Sequence, residues 1–407
     1  MPISTLIKER YVPTALNAAS EHRPRIAVVA ASLDIVGGQE VQAKILCERL
    51  RGEGYAVTFI PINPAFPGPF KRVRQWRYLR TVLNEMFYLP SLRRLRNVDV
   101  VHIFSASYWS FLLAPLPAML AAKAFGKRAI LNYHSGEAAD HLARWGALVH
   151  PWLKLADEIV VPSEYLARIF ARYGHRARVI RNVVDTSRFG FRERAPLHPR
   201  LVSTRNLERI YRVDNTIKAF GMINSRYSDA TLTIAGCGSE EERLRRLAAP
   251  FGDAVRFIGR VEPTAIPAVY DDADIFVNSS IVDNQPLSVL EAFASGLPVV
   301  STPTGAIADM VREGETGVIV APEDPRAMAD AVAALLEQPG RAATMARQAR
   351  KEVETHSWQN IRSEWLETYR HNLPVPRRRR FHAGTCDHGG VAVPGGARGE
   401  NRDRPHP

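Results

Sequence analysis

The chain predicts two doubly wound α/β units facing one cleft, and three observations lead there. Short apolar runs of strand length recur along it, six before residue 190 and six after residue 200. Segments with helical spacing separate them, and strands alternating with helices build parallel sheets. With 407 residues, the chain has room for two domains of about 150 residues each.

In order, residues 1–23 read as a flexible extension and residues 24–190 as the first unit. Arg25 to Ser32 is a short apolar run, as expected of a buried parallel strand. Gly37-Gly38 follows it and opens a helix over Val41 to Arg51, before the strand Tyr55 to Ile60. Val73, Trp76, Leu79, Leu83 and Phe87 then recur at helical spacing, with Arg74, Arg77 and Arg80 toward the other side. Val98 to Phe104 is a strand, Ser105 to Ser110 a polar turn, and Phe111 to Phe125 a buried helix. Ile103 to Ala122 carries no charge over a membrane-spanning length. Pro115 and Pro117 interrupt it, so strand, turn and helix are the better reading. Ala129 to Tyr133, Glu158 to Pro162 and Arg178 to Arg181 complete the unit.

Residues 191–200 are polar and carry two prolines, which marks a linker. The second unit, 201–356, has strands at Leu201 to Ser203, Thr231 to Ala235, Val255 to Ile258, Ile275 to Asn278, Pro298 to Ser301 and Gly317 to Val320. Residues 357–373 form a last helix. From 374 to 407 the composition turns to Arg, Gly, Pro and His, with too few apolar residues for a core, and a disordered basic tail is expected.

The net charge of +12 is concentrated. Lys71, Arg72, Arg74, Arg77, Arg80, Arg93, Arg94 and Arg96 stand against Glu85 alone, and the tail holds most of the remaining excess. Two local basic segments point to anionic surfaces, with peripheral membrane contact through the 73–87 helix, and not to a nucleic-acid partner. A nucleic-acid binder driven by the tail would leave the two α/β units unexplained. Cys47, Cys237 and Cys386 form neither a disulfide framework nor a zinc spacing, so a reducing cytoplasm and no metal are expected. The first twenty residues lack the apolar core of a secretory leader.

Asp283-Asn284-Gln285-Pro286-Leu287-Ser288-Val289-Leu290-Glu291 carries the most chemistry. Asp283 follows a strand and Glu291 lies on the next helix. A strand end facing a crevice is where open α/β sheets bind ligands. A helix start suits phosphate, and carboxylates accept hydrogen bonds from sugar hydroxyls. The combination suits a nucleotide-diphospho-sugar. The spacing also excludes a simple retaining glycosidase, in which two carboxylates alone flank the bond, and that reading ignores the phosphate features. Gly37-Gly38 lets backbone approach a ligand. Gly236-Cys237-Gly238 is either a turn or a ligand contact, and Thr302 to Ile307 is either a phosphate cap or a plain strand–helix loop.

The 283–296 segment resembles the E-x7-E region of retaining glycosyltransferases of the GT-B fold, the group often called family 4. The resemblance runs in register from about Arg25 to about Leu373. It implies two Rossmann-like domains facing a cleft, the first binding the acceptor and the second the donor, with the last helix crossing back to the first. It implies transfer of a sugar to an acceptor hydroxyl with retention and without a metal. The glycan or glycolipid acceptor would be met at the inner face of the membrane, in surface glycan synthesis. His134 matches the family's active-site histidine, Asp283 its first carboxylate with one methylene less, and Arg205 its phosphate arginine. Those three are the expected catalytic residues. Gly37, Gly38, Gly259, Arg260, Val261, Pro286, Leu287, Ser288 and Glu291 are the expected donor contacts, Glu291 holding the ribose hydroxyls. Tyr211 stands where relatives carry a phosphate lysine, which leaves Arg209 or Arg212 to supply the second cation. Asn182 to Asp185 and Phe189 resemble a family segment that lies before the linker and is read mainly as architecture. Asp283 and Tyr211 also motivate a rival reading, a non-catalytic partner subunit that keeps the fold.

Overall fold

The computed structural model describes residues 23–32, 37–65, 77–105 and 107–371. Residues 1–22 of the early extension, Lys71, Arg72, Val73, Arg74, Trp76 and the basic tail lie outside these residues. The first sheet contains β1 (Ile26–Ala30), β2 (Val57–Pro61), β3 (Val100–Ser105), β4 (Arg128–Tyr133), β5 (Glu158–Val161) and β6 (Arg178–Val179). Its order is β2-β1-β3-β4-β5-β6, every pair parallel. The second contains β7 (Arg200–Ser203), β8 (Thr231–Ala235), β9 (Val255–Gly259), β10 (Ile275–Asn278), β11 (Val299–Ser301) and β12 (Val318–Ile319). Its order is β12-β11-β10-β7-β8-β9, again all parallel. All twelve expected strands are present. They were legible because a parallel strand covered on both faces is an unbroken apolar run; β1, Ile-Ala-Val-Val-Ala, is buried throughout.

Strand order reverses between β1 and β3 in the first sheet and between β7 and β10 in the second. These are the switch points at whose carboxyl ends a crevice opens. The helix Trp358–Arg370 packs Trp358, Ile361, Trp365 and Tyr369 among Ile26, Val28 and Val100 of the first sheet. Tyr369 Oη lies 2.7 Å from His102 Nδ1. The last helix therefore does cross back, and the fold is the expected two-domain GT-B architecture.

Three expectations change. The single helix 111–125 is two, Trp109–Leu113 and Pro115–Ala124, broken because Pro115 has no N–H to give and starts a new helix instead. Residues 191–200 are no free linker: Arg192, Arg194 and Arg200 surround the fully buried Asp274, with Arg200 Nε 2.7 Å from it. On the helix Arg77–Ser91, Leu83 faces the core, while Leu79, Val82, Met86 and Leu89 form the exposed apolar row. No helix among the described residues is long and apolar enough to cross a membrane.

Candidate functional site

A cavity of about 700 Å³ opens between the carboxyl ends of the two sheets. Gly37 and Gly38 reach it from β1, Ser105 and Ser107 to Ser110 from β3, and His134 to Glu137 from β4. Thr204 and Arg205 enter from β7, and Val282 to Ser288 with Glu291 from β10. Both switch points thus feed one cleft, of a size usual for small-ligand sites.

Arg205 is the best-built side chain in it. It is 9% exposed. One Nη pairs with the Asp283 carboxylate, and the other donates to Ser288 Oγ at 2.9 Å. The Tyr211 ring lies under the guanidinium, 4.3 Å from centroid to Cζ. Its Nε has no hydrogen-bond partner among the described residues. That atom is closed to solvent, so what faces the cleft is the guanidinium held by Asp283, Ser288 and Tyr211, and not a free Nε. Tyr211 therefore stands at the expected lysine position as a support for Arg205 and not as a cation.

Asp283 is held on both sides. A Cβ on Gly136 would sit 2.8 Å from its carbonyl carbon, and Gly305, at φ +62, backs the same carbonyl. Burial raises its pKa, and Arg205 works against the rise. The next two residues bridge the domains. Ser163 Oγ donates to Asn284 Oδ1 at 2.7 Å, and Asn284 Nδ2 donates to the His134 carbonyl at 3.3 Å. Asn182 N donates to Gln285 Oε1 at 2.7 Å. His134 lines the cleft against Phe104, with ring centroids 5.3 Å apart. Burial lowers its pKa to about 4, so the ring is neutral at pH 7.

Glu291 lies on the helix Leu287–Ser295, whose first turn also borders the cavity. The buried Tyr270 donates its hydroxyl to Glu291 Oε2 at 2.9 Å and lies 2.7 Å from Thr204 Oγ1. Burial pushes the Glu291 carboxyl up to about 7, against the hydrogen bond from Tyr270. Tyr270 was not foreseen, since a tyrosine on a helix reads as core.

The structure brings His134, Arg205, Asp283, Glu291, Gly37, Gly38, Pro286, Leu287, Ser288, Arg260 and Val261 together. Gly259 ends β9 at φ +68 just outside the cavity, where its carbonyl accepts from Gly236 N at 2.8 Å. Arg209 and Arg212 do not line it. Arg209 is exposed elsewhere, and Arg212 pairs with Asp214 and Glu323. Among the described residues, the cations that line it besides Arg205 are Arg188 and Arg260. Arg188 sits on the 3-10 turn Thr186–Arg188, inside the segment read as architecture, and donates to the Pro263 carbonyl. Gly236 and Cys237 border the cleft, whereas the 302–307 loop braces it, with Ala306 N on the Asn284 carbonyl at 3.2 Å. Arg77 begins its helix, and Arg80 is exposed on that helix and does not line this cleft.

Comparison with known proteins agrees with this architecture. The family described as glycosyl transferases group 1 matches residues 193–352, and the one described as glycosyltransferase family 4 matches residues 36–188. A glycogen synthase of Mycobacterium tuberculosis is 30% identical over 288 residues, spanning 67% of this chain and 68% of that protein. A phosphatidyl-myo-inositol mannosyltransferase of Mycobacterium leprae is 24% identical over 360 residues, or 83% of this chain and 94% of its own. The crystal structure of Anabaena HepE in complex with UDP-glucose superposes with a TM-score of 0.67 at 15% identity, covering 85% of this chain and 99% of that one.

Proposed function

This chain belongs to the group 1 glycosyltransferases, and we propose that it moves a sugar from a nucleotide-diphospho-sugar to an acceptor hydroxyl with retention at the anomeric carbon. One observation carries the reading: a guanidinium, Arg205, fixed by Asp283, Ser288 and Tyr211 on the wall of a cleft that also holds Glu291 and a helix start. The diphosphate takes Arg205, with Arg188 and Arg260 as further cations on the same wall. The first N–H groups of the helix Leu287–Ser295 add partial positive charge. Fixed donors of this kind stabilise the leaving group without a metal. Glu291, held by Tyr270, accepts the ribose hydroxyls. Asp283 and the neutral His134 border the space left for the donor sugar. Retention rests on the likeness of the 283–296 segment to that of retaining members.

The acceptor is proposed to be a surface glycan or glycolipid met at the cytoplasmic face of a membrane. The mannosyltransferase relative and the exposed row Leu79, Val82, Met86 and Leu89 support it. Nucleotide release from a panel of UDP-, GDP- and ADP-sugars, with Glu291→Ala as control, tests the donor half. Release of one nucleotide, lost in the variant, is expected, and NMR of the product anomer reads retention. Failure of every nucleotide to bind would sink the reading. Binding without turnover, whatever acceptor is added, would favour the non-catalytic rival.

A further inference from the structure

We propose that the first domain's wall of the cleft is a subsite for an uncharged pyranose, with Trp109 as its platform and Glu137 as an acceptor for its hydroxyls. The subsite rests on the glycosyltransferase reading for its reaction, not for its binding. It narrows the acceptor from any hydroxyl to a sugar ring that bears no phosphate.

Trp109 starts the helix Trp109–Leu113 at the carboxyl end of β3 and is 67% exposed while lining the cavity. So large an apolar side chain left open on the wall of a cavity is available to a ligand there. The ring is braced. It meets Trp145 edge-on at 5.1 Å and 90°, and Trp145 meets Tyr108 at 5.7 Å. Tyr108, directly before it, holds φ +56 and ψ −132, a conformation that a bulky L residue rarely adopts. Such backbone persists where the surroundings over-determine it, most often at ligand sites. Here the Tyr108 hydroxyl donates to Asp140, which also pairs with Arg144 at 2.8 Å.

A pyranose presents one face of C–H groups and a rim of hydroxyls. The electron-rich indole face suits the C–H groups, and the exposed Glu137 carboxylate accepts from the rim. Charge then separates acceptor classes. The guanidinium groups lining the cleft among the described residues are Arg188, Arg205 and Arg260. Arg205 and Arg260 follow strands of the second sheet, and Arg188 is bonded to Pro263. On the loops after β3 and β4 the charged lining residue is Glu137, and Arg144 is already engaged by Asp140. A phosphate-bearing acceptor would meet carboxylate there, at a cost in binding.

The test uses the full chain with UDP, GDP or ADP present, and reads saturation-transfer NMR of methyl glucopyranosides, mannopyranosides and galactopyranosides. myo-Inositol 1-phosphate is the phosphate-bearing comparison, and nucleotide binding is measured by calorimetry on the same sample. At least one methyl hexopyranoside is expected to bind. Its signal should fall about fivefold or more in Trp109→Ala and survive largely in Trp109→Phe. Nucleotide affinity and melting should stay unchanged in both variants, because the exposed ring supports no core. No bound hexopyranoside, an unaffected Trp109→Ala, or tighter binding of the inositol phosphate overturns the proposal. Hexopyranoside binding that needs Trp109, without binding of any nucleotide, keeps the subsite and removes the transfer reading. Nucleotide binding without hexopyranoside does the reverse.

Discussion

Under the proposed function, folding and donor binding make opposite demands on Glu291. Burial favours its protonated form and sets its pKa at about 7, above the ordinary carboxylate range. The folded protein thus binds a proton that the unfolded chain has already released. Stability present at low pH is lost as pH rises from the ordinary carboxylate pKa through about 7. The proposed ribose contact needs the carboxylate, so donor binding should have the opposite slope. Affinity for the nucleotide sugar should rise about tenfold from pH 6 to pH 8. The sugar diphosphate has no proton to lose in that range, so calorimetry across it reads the protein. Glu291→Gln should flatten the profile and weaken binding at pH 8; an unchanged slope in the variant would assign the titration elsewhere. Glu291 was legible from its place on the helix that follows a strand, and Arg205 only through the family resemblance. Arg188 and Arg212 were not, because a loop has no periodicity to say where a guanidinium points. Only the fold shows Arg212 turned to Asp214 and Glu323 while Arg188 turns inward.

Elements were legible to the degree that their apolar pattern was continuous. Each strand was found within a few residues, whereas the break at Ala114 depends on one missing N–H at Pro115. The crossing helix Trp358–Arg370 has ordinary amphipathic spacing, and its partner sheet was known only through family resemblance. Its packing makes the first domain depend on the chain's distant end. Tyr369 is fully buried, bonded to His102 and stacked on Trp365 at 5.8 Å. Tyr369→Ala should therefore cost about 3–5 kcal/mol, the usual loss for a buried aromatic. Thermal unfolding followed by domain-specific proteolysis checks it, with fragments of the first domain expected first. Equal loss of both domains would mean that they unfold as one unit. The Asp283–Gln285 loop, hydrogen-bonded to Ser163, His134 and Asn182, supplies a physical reason for that alternative.

At the scale of the molecule, exposed apolar and cationic side chains meet on one helix and the turn that follows it. The helix Arg77–Ser91 turns Leu79, Val82, Met86 and Leu89 outward at 40%, 56%, 60% and 47% exposure. Arg93 and Arg94 follow on the next turn and are exposed, with Arg80 beside the row. The proposed membrane contact would use this row, since an apolar face flanked by cations suits the headgroup region of an anionic bilayer. Each cation near such a surface contributes about 1 kcal/mol and is screened by salt. Co-sedimentation with vesicles should therefore show binding to phosphatidylglycerol-rich membranes at low salt, weak binding to pure phosphatidylcholine, and loss of most binding at high salt. Val82→Asp with Met86→Asp should reduce binding at both salt levels, because it removes insertion. Arg93→Glu with Arg94→Glu should act mainly at low salt, because it removes attraction. Neither pair touches the cleft, so donor hydrolysis in solution should be unchanged, while transfer to a vesicle-borne acceptor should fall with binding. Equal sedimentation of all variants would remove this row from the proposed membrane contact.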